Sequence, residues 1–230
     1  MVQRNPRRFA NRYVDWNLIE AVEHAATLPD RGVLHVGLHP QPFVGNIVTP
    51  LIYILHGNPG FAPHDYHDEL ANNEHAAACE CNLRNADRGF FPLGEASAGT
   101  GAAKYWQNAL AKAISDLAGL RDISISAARN LFQQYVCVIE SCAYHSAGVP
   151  GTWVDTLPSS QVARRYAQDV AISRARRGDS LVFIWRRLKY WAIGEGHGNI
   201  VVRHPNAAQN RHIFLPERTA IVNFIHARAG

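Results

Sequence analysis

The sequence is poor in cysteine and has no long apolar run. Four cysteines among 230 residues supply no disulfide framework. Cys79 and Cys81 stand close together, and Cys137 and Cys142 flank a strand end. Neither spacing matches a metal or iron–sulfur motif, so reduced intracellular thiols are expected. No stretch reaches the roughly 18 apolar residues that a membrane-spanning helix needs. Residues 1–8 are basic without a following apolar segment, which speaks against a secretory signal. A triphosphate-binding loop, a dinucleotide glycine fingerprint and a metal-ligand cluster are all missing. No cofactor, metal, membrane or obligate protein partner is therefore expected. There is no internal repeat and no long linker.

What is present fits one domain spanning residues 1–230. Hydrophobic residues make up 47% of the chain, enough for a full core. Lysine plus arginine exceed aspartate plus glutamate by 23 − 19, giving +4, and the isoelectric point is about 9.0. The excess is concentrated in the C-terminal half, at Arg164, Arg165, Arg174, Arg176, Arg177, Arg186, Arg187, Lys189, Arg203 and Arg211. Such a distribution suits a polyanionic partner, and it equally suits a helix face that is basic for solubility.

Apolar, β-branched and aromatic runs predict strands over residues 51–55, 135–139, 181–185 and 199–202. Asp15 is placed to cap a helix running to about residue 27. Residues 39–46 read as a Pro/Gly-rich loop, and residues 69–81 as a polar, mildly helical segment. Residues 90–93 read as an aromatic loop and residues 94–101 as small and flexible. Trp106, Leu110, Ile114 and Leu117 recur at helical spacing. Ser159 or Ser160 is expected to cap a helix ending at Gly178. Pro216 opens a last helix carrying Ile221, Phe224 and Ile225. Strands alternating with helices predict an α/β fold, with a mostly parallel four-stranded sheet covered by helices on both faces.

The stretch over residues 47–66 organises the rest. An apolar strand stops abruptly at Gly57-Asn58-Pro59-Gly60, leaving Asn58 where ligands bind in open α/β sheets, outside the carboxyl ends of the strands. A turn of this composition often only reverses the chain. The functional reading gains weight because Phe90 or Phe91, Glu140 and His204 also fall at or just past predicted strand ends.

These segments resemble the uracil-DNA glycosylase superfamily. Gly57-Asn58-Pro59-Gly60 after a strand resembles its first motif. Val138-Ile139-Glu140-Ser141 is similar to its middle strand, which ends in a base-reading residue. His204-Pro205-Asn206 followed by Arg211 looks like its late His-Pro-Ser-type motif. The resemblance spans about residues 43–211 and implies a three-layer α/β/α sandwich. It also implies extrusion of a base from the stack and hydrolysis through an oxocarbenium-like transition state.

On this resemblance Asn58 would position the attacking water through its amide oxygen, working by placement and charge stabilisation. His204 would donate to the base O2 as charge builds there. Gly57, Gly60, Phe61, Phe90, Phe91 and Glu140 would hold the base, with Phe90 or Phe91 stacking on it. Asn206, Gln209, Asn210 and Arg211 would enter or contact the duplex. Help from His64, Asp65 or His145 is left open, since such residues also cap helices. The remaining eleven of the twelve histidines read as ordinary.

Two departures bear on substrate. Gly60 stands where the uracil-specific branch has a bulky tyrosine, so a large C5 substituent fits. Glu140 stands where uracil-excising members have asparagine. A carboxylate only accepts hydrogen bonds, which suits the cytosine N4 amino group and disfavours uracil O4. A salt-bridged Glu140 that reads nothing is the plain alternative. Together the departures imply a monofunctional glycosylase acting on a C5-modified cytosine, such as the glucosylated hydroxymethylcytosine of T-even-like bacteriophage DNA, in the cytoplasm of a prokaryote. In this the chain resembles the anti-phage (Brig-type) branch. A repair glycosylase for uracil or a damaged base, and a non-catalytic modified-base binding module, are the alternatives.

Overall fold

A computed structural model describes Asp15, Ile19 and residues 32–86, 89–148, 150–194, 198–203 and 213–229. Its centre is a five-stranded sheet in the order β1-β3-β2-β4-β5. The strands are β1 (Phe43–Gly45), β2 (Ile52–His56), β3 (Val136–Glu140), β4 (Leu181–Ile184) and β5 (Ile200–Val202). β3, β2, β4 and β5 run parallel, and β1 lies antiparallel on the outer edge of β3.

The three inner strands are buried on both faces, which is why they read as continuous apolar runs rather than alternating ones. Their period of two divides the core. Ile52, Ile54, Val136, Val138, Leu181 and Phe183 point to one side, where α3 (Gly101–Arg121), α4 (Ile125–Tyr135) and α8 (Leu215–Arg228) pack. Tyr53, Leu55, Cys137, Ile139, Val182 and Ile184 point to the other. That face is covered by α5 (Pro158–Tyr166), a π-helical turn (Ala167–Ala171) and α6 (Ile172–Arg176). Two shorter helices, α1 (Asp65–Ala71) and α2 (Asn73–Leu83), follow β2, and α7 (Leu188–Trp191) follows β4.

The α/β class holds, but the expected four-stranded sheet has a fifth strand. β1 lies inside the segment that reads as a loop. It is three residues long and sits at an edge, the position where short, irregular strands are tolerated. Asn82 of α2 completes its free side, donating to the Phe43 carbonyl at 2.8 Å and accepting from the Gly45 N–H at 2.9 Å. Gly45 has φ +97°, and a Cβ there would lie 2.4 Å from the Val136 carbonyl oxygen, so only glycine fits. Residue 135, expected in a strand, closes α4 instead. Ser159 and Ser160 do not cap α5; both lie in its first turn. The Asp15 carboxylate serves that end from a distance, accepting from the Ser159 N–H at 3.0 Å and the Tyr144 hydroxyl at 2.9 Å. The helix expected after Asp15 lies largely outside the described residues. Among the described residues no helix is long and apolar enough to cross a membrane.

Candidate functional site

The carboxyl ends of β2, β3 and β4 open onto one cavity of about 540 Å³. Beyond β2, residues 57–60 are held by the continuation of β3. The Gly57 carbonyl accepts from the Cys142 N–H at 2.9 Å, and the Pro59 carbonyl from the Ser146 N–H at 3.2 Å. Gly60 forms an isolated parallel bridge with Ser146. The turn therefore behaves as an extension of the parallel β2–β3 pair, and its geometry is fixed from outside.

That framework fixes Asn58. The side chain is 8% exposed and lines the cavity. Its amide nitrogen donates to Pro59 O at 2.9 Å, Ser146 O at 3.3 Å and Ser146 Oγ at 2.9 Å. Carbonyl oxygens only accept, so the amide cannot be the other way round. The Oδ1 atom has no hydrogen-bond partner among the described residues, which leaves it as a positioned acceptor.

Glu140, the last residue of β3, is 3% exposed and lines the same cavity. Its register partner across the sheet is His56, the last residue of β2. The two carboxylate oxygens accept from His56 Nδ1 at 3.2 and 3.0 Å. That places the hydrogen on Nδ1, so His56 Nε2 accepts from the Tyr105 hydroxyl at 3.4 Å. Burial pushes the Tyr105 phenol up, against a smaller opposing pull from Arg186, which also hydrogen-bonds the hydroxyl. Donors thus run from Arg186 through Tyr105 and His56 to Glu140. This chain meets the requirement that a buried carboxylate have a donor. Rings of Tyr105, Trp106 and Trp185 pack around His56 with centroids 5.6 to 6.2 Å away. Arg203 lies over Trp185 at 5.7 Å; burial, then the neighbouring Arg186, lowers its pKa.

Gly60 is exposed at the rim, and a Cβ added there would meet nothing within 4 Å. Phe61 lines the cavity and stacks on His35, with ring centroids 3.3 Å apart and planes 12° apart. Also lining the cavity, His64, Asp65 and Asp68 bring one donor atom each within 4.8 Å of the others. The Asp65 carboxylate accepts from the Ala62 N–H at 2.7 Å, and the Asp68 carboxylate from the Gly101 N–H at 3.0 Å. Gly101 is the first residue of α3, so these acids offset a helix N-terminus, where negative charge is favoured. Burial raises the Asp65 pKa, opposed by the Ala62 hydrogen bond.

The cavity brings together Gly57, Asn58, Gly60, Phe61 and Glu140. It does not include Phe90 or Phe91. Phe90 is 0% exposed and packs edge-on against Trp106 at 5.2 Å, and Phe91 faces His75 at 5.9 Å. Both belong to the core on the α3 side of the sheet, so the aromatic walls of the cavity are Phe61, Tyr105 and Trp106 instead. His204, Asn206, Gln209, Asn210 and Arg211 lie outside the described residues. Glu140 pairs with a histidine rather than with an arginine.

Sequence reasoning passed over His56, which read as an ordinary histidine. The available signal was parity: His56 and Glu140 are each the polar residue closing an apolar strand of equal length. It also missed Tyr105, Ser146 and Arg186, which reach the site from other elements. The chain matches no protein-family model, no curated protein and no solved structure.

Proposed function

We propose that this chain is a monofunctional DNA glycosylase of the uracil-DNA glycosylase kind, a three-layer α/β/α sandwich that hydrolyses the N-glycosidic bond of an extruded C5-modified pyrimidine. One observation carries the reading. At the carboxyl end of a central parallel strand, the Asn58 amide is anchored through its nitrogen, and its oxygen remains as an acceptor over a cavity. An amide oxygen so held orients a water for attack on a sugar carbon without acting as a strong base. Correct placement of reacting groups is itself a large part of many rate enhancements.

The surroundings support a bulky, amino-bearing base. Glu140 accepts from one ring nitrogen only, so lone pairs remain for an exocyclic amino group. The open space at Gly60 and a cavity within the usual range for small-molecule sites, about 300–1,000 Å³, leave room for a large C5 substituent. Phe61, backed by His35, offers a stacking surface, and Arg186 brings positive charge to the wall. Glucosylated 5-hydroxymethylcytosine fits this description, which makes bacteriophage DNA the substrate and defence in a prokaryotic cytoplasm the role. The hydrolysis needs water and no cofactor.

The test uses oligonucleotides carrying glucosylated 5-hydroxymethylcytosine, 5-hydroxymethylcytosine or uracil. The wild type should leave alkali-labile abasic sites in the first. Asn58→Ala should reduce release by about 100-fold while gel-shift binding persists. Gly60→Tyr should fold normally and lose the glucosylated substrate while sparing smaller bases. Undiminished activity of Asn58→Ala would refute the role given to that amide.

A further inference from the structure

Arg186 and Arg187 follow β4 side by side, and each feeds a different polar chain. Arg186 lines the cavity and reaches Tyr105. Arg187 lies over the Tyr190 ring at 4.9 Å, and Tyr190 belongs to the core on the other face of the sheet. On its way the Arg187 side chain passes Gly57. A Cβ added to Gly57 would have the Arg187 Cγ and Cδ atoms 4.0 Å away. The guanidinium Nη1 donates to Ser141 Oγ at 3.0 Å, and Nη2 donates to the Asp155 carboxylate at 2.6 Å. Ser141 is buried, and its hydroxyl donates to the Gly57 carbonyl at 2.5 Å.

The direction of this chain is fixed by chemistry. A guanidinium has only hydrogens to offer, so the Ser141 oxygen accepts from Arg187 and the one hydroxyl hydrogen points at Gly57. The Cys142 N–H donates to the same carbonyl at 2.9 Å, so both of its lone pairs are used. The Gly57 carbonyl and the Asn58 N–H share one peptide plane. Whatever holds that carbonyl therefore holds the plane from which the Asn58 side chain departs. Neither Ser141 nor Arg187 is among the residues that line the cavity. The Arg187 side chain is 12% exposed. Its backbone lies in the left-handed region at φ +54°, which is uncommon for a residue with a side chain and is met most often at functional sites.

We propose that Arg187 is a positioning residue: through Ser141 it fixes the Gly57 carbonyl, and with it the Asn58 amide, and it makes no contact with DNA phosphate. This rests on the glycosylase reading above and goes beyond it. The charge on Arg187 polarises the Ser141 hydroxyl and strengthens the hydrogen bond that the hydroxyl gives. In the sequence Arg187 belongs to a basic cluster suited to a polyanion. In the fold its guanidinium is committed to a carboxylate and a hydroxyl behind the Asn58 turn.

The experiment measures single-turnover base release from the oligonucleotides above, and DNA binding over a range of salt. It uses the wild type, Arg187→Met, Arg187→Lys, Ser141→Ala and the double variant Arg187→Met/Ser141→Ala, with thermal melting as the check on folding. Ser141→Ala leaves the Cys142 bond and the Arg187–Asp155 pair in place, so it should fold. Arg187→Met and Ser141→Ala should each slow release by about 10-fold or more at saturating enzyme, since a misplacement of about 1 Å costs on the order of 100-fold. The enzyme concentration giving half-maximal rate should not change. The two losses should not multiply in the double variant, because the residues act as one unit. Arg187→Lys keeps a charged donor and should recover part of the rate. Every variant should bind DNA with the wild-type dependence on salt, whereas a lost phosphate contact would lower the slope of log K against log salt by about one. Undiminished release by folded Ser141→Ala, losses that multiply in the double variant, or a shallower salt slope for Arg187→Met overturns this inference alone. No release by the wild type from any of the three substrates overturns the glycosylase reading, and the inference with it.

Discussion

Two buried carboxylate–imidazole pairs face the same region of this molecule, and they are built differently. Glu69, on α1, accepts from His39 three times: from its backbone N–H at 3.1 Å on each oxygen, and from ring Nδ1 at 2.7 Å. Its donors come from one residue of the loop before β1, so the pair clamps that loop to the helix. Glu140 accepts only from the His56 ring. It stands at a strand end, in line with Tyr105 and Arg186. Burial alone therefore does not mark a functional carboxylate. Both line the cavity; what separates the two is how much acceptor capacity remains.

The same substitution at each site tests this difference. Glu140→Gln keeps an acceptor for His56 and replaces the second carboxylate oxygen with an amino group, which repels the exocyclic amine of the base. Base release from glucosylated hydroxymethylcytosine should fall by about 100-fold, in line with the 1–3 kcal/mol assigned to a good base-reading contact. Urea denaturation should show little loss of stability. Glu69→Gln should do the reverse. Oε2 already takes both His39 donors, but the amide NH2 would replace the other oxygen and face the buried backbone N–H at about 3.1 Å, donor against donor, at a cost of about 1–3 kcal/mol. The urea midpoint should drop, while activity per folded molecule stays near that of the wild type. If both variants lose activity and keep their stability, the two pairs are not different in kind.

A smaller effect concerns pH. His75 lines the same cavity, its Nδ1 3.0 Å from Ser97 Oγ, and burial lowers its pKa below the ordinary 6.5. The unfolded chain then binds a proton at that position more readily than the folded one. Stability contributed by neutral His75 is complete above about 6.5 and is lost as pH falls through the window below it. His75→Phe should flatten that part of the stability profile, measured as urea midpoints from pH 7 downward. An unchanged slope would remove His75 as its source.

Much of the architecture was legible because the central strands are buried on both faces. Continuous apolar runs such as residues 52–55 and 136–139 have few other ways to fold. The α3 helix was equally plain from Trp106, Leu110, Ile114 and Leu117. β1 was not, since its three residues become a strand only through a neighbouring strand and the Asn82 side chain. Asn58 and Glu140 stood out as polar residues ending apolar runs. Phe90 and Phe91 were expected at the base-binding site and lie in the core instead, because an aromatic pair in sequence suits a core and a stacking site equally. Packing against Trp106 and His75 decided for the core. Tyr105, Ser146 and Arg186 reach the cavity from three separate elements, and no local pattern ties them to it.

The central claim is that the Asn58 amide directs water onto a sugar carbon beside an extruded, enlarged cytosine. Mass spectrometry of free bases released from phage genomic DNA containing glucosylated hydroxymethylcytosine tests it most directly. The wild type should release the intact glucosylated base, and Asn58→Ala should release almost none while still binding the DNA. Equal release by the two proteins, or no free base from any DNA treated with the wild type, would contradict it.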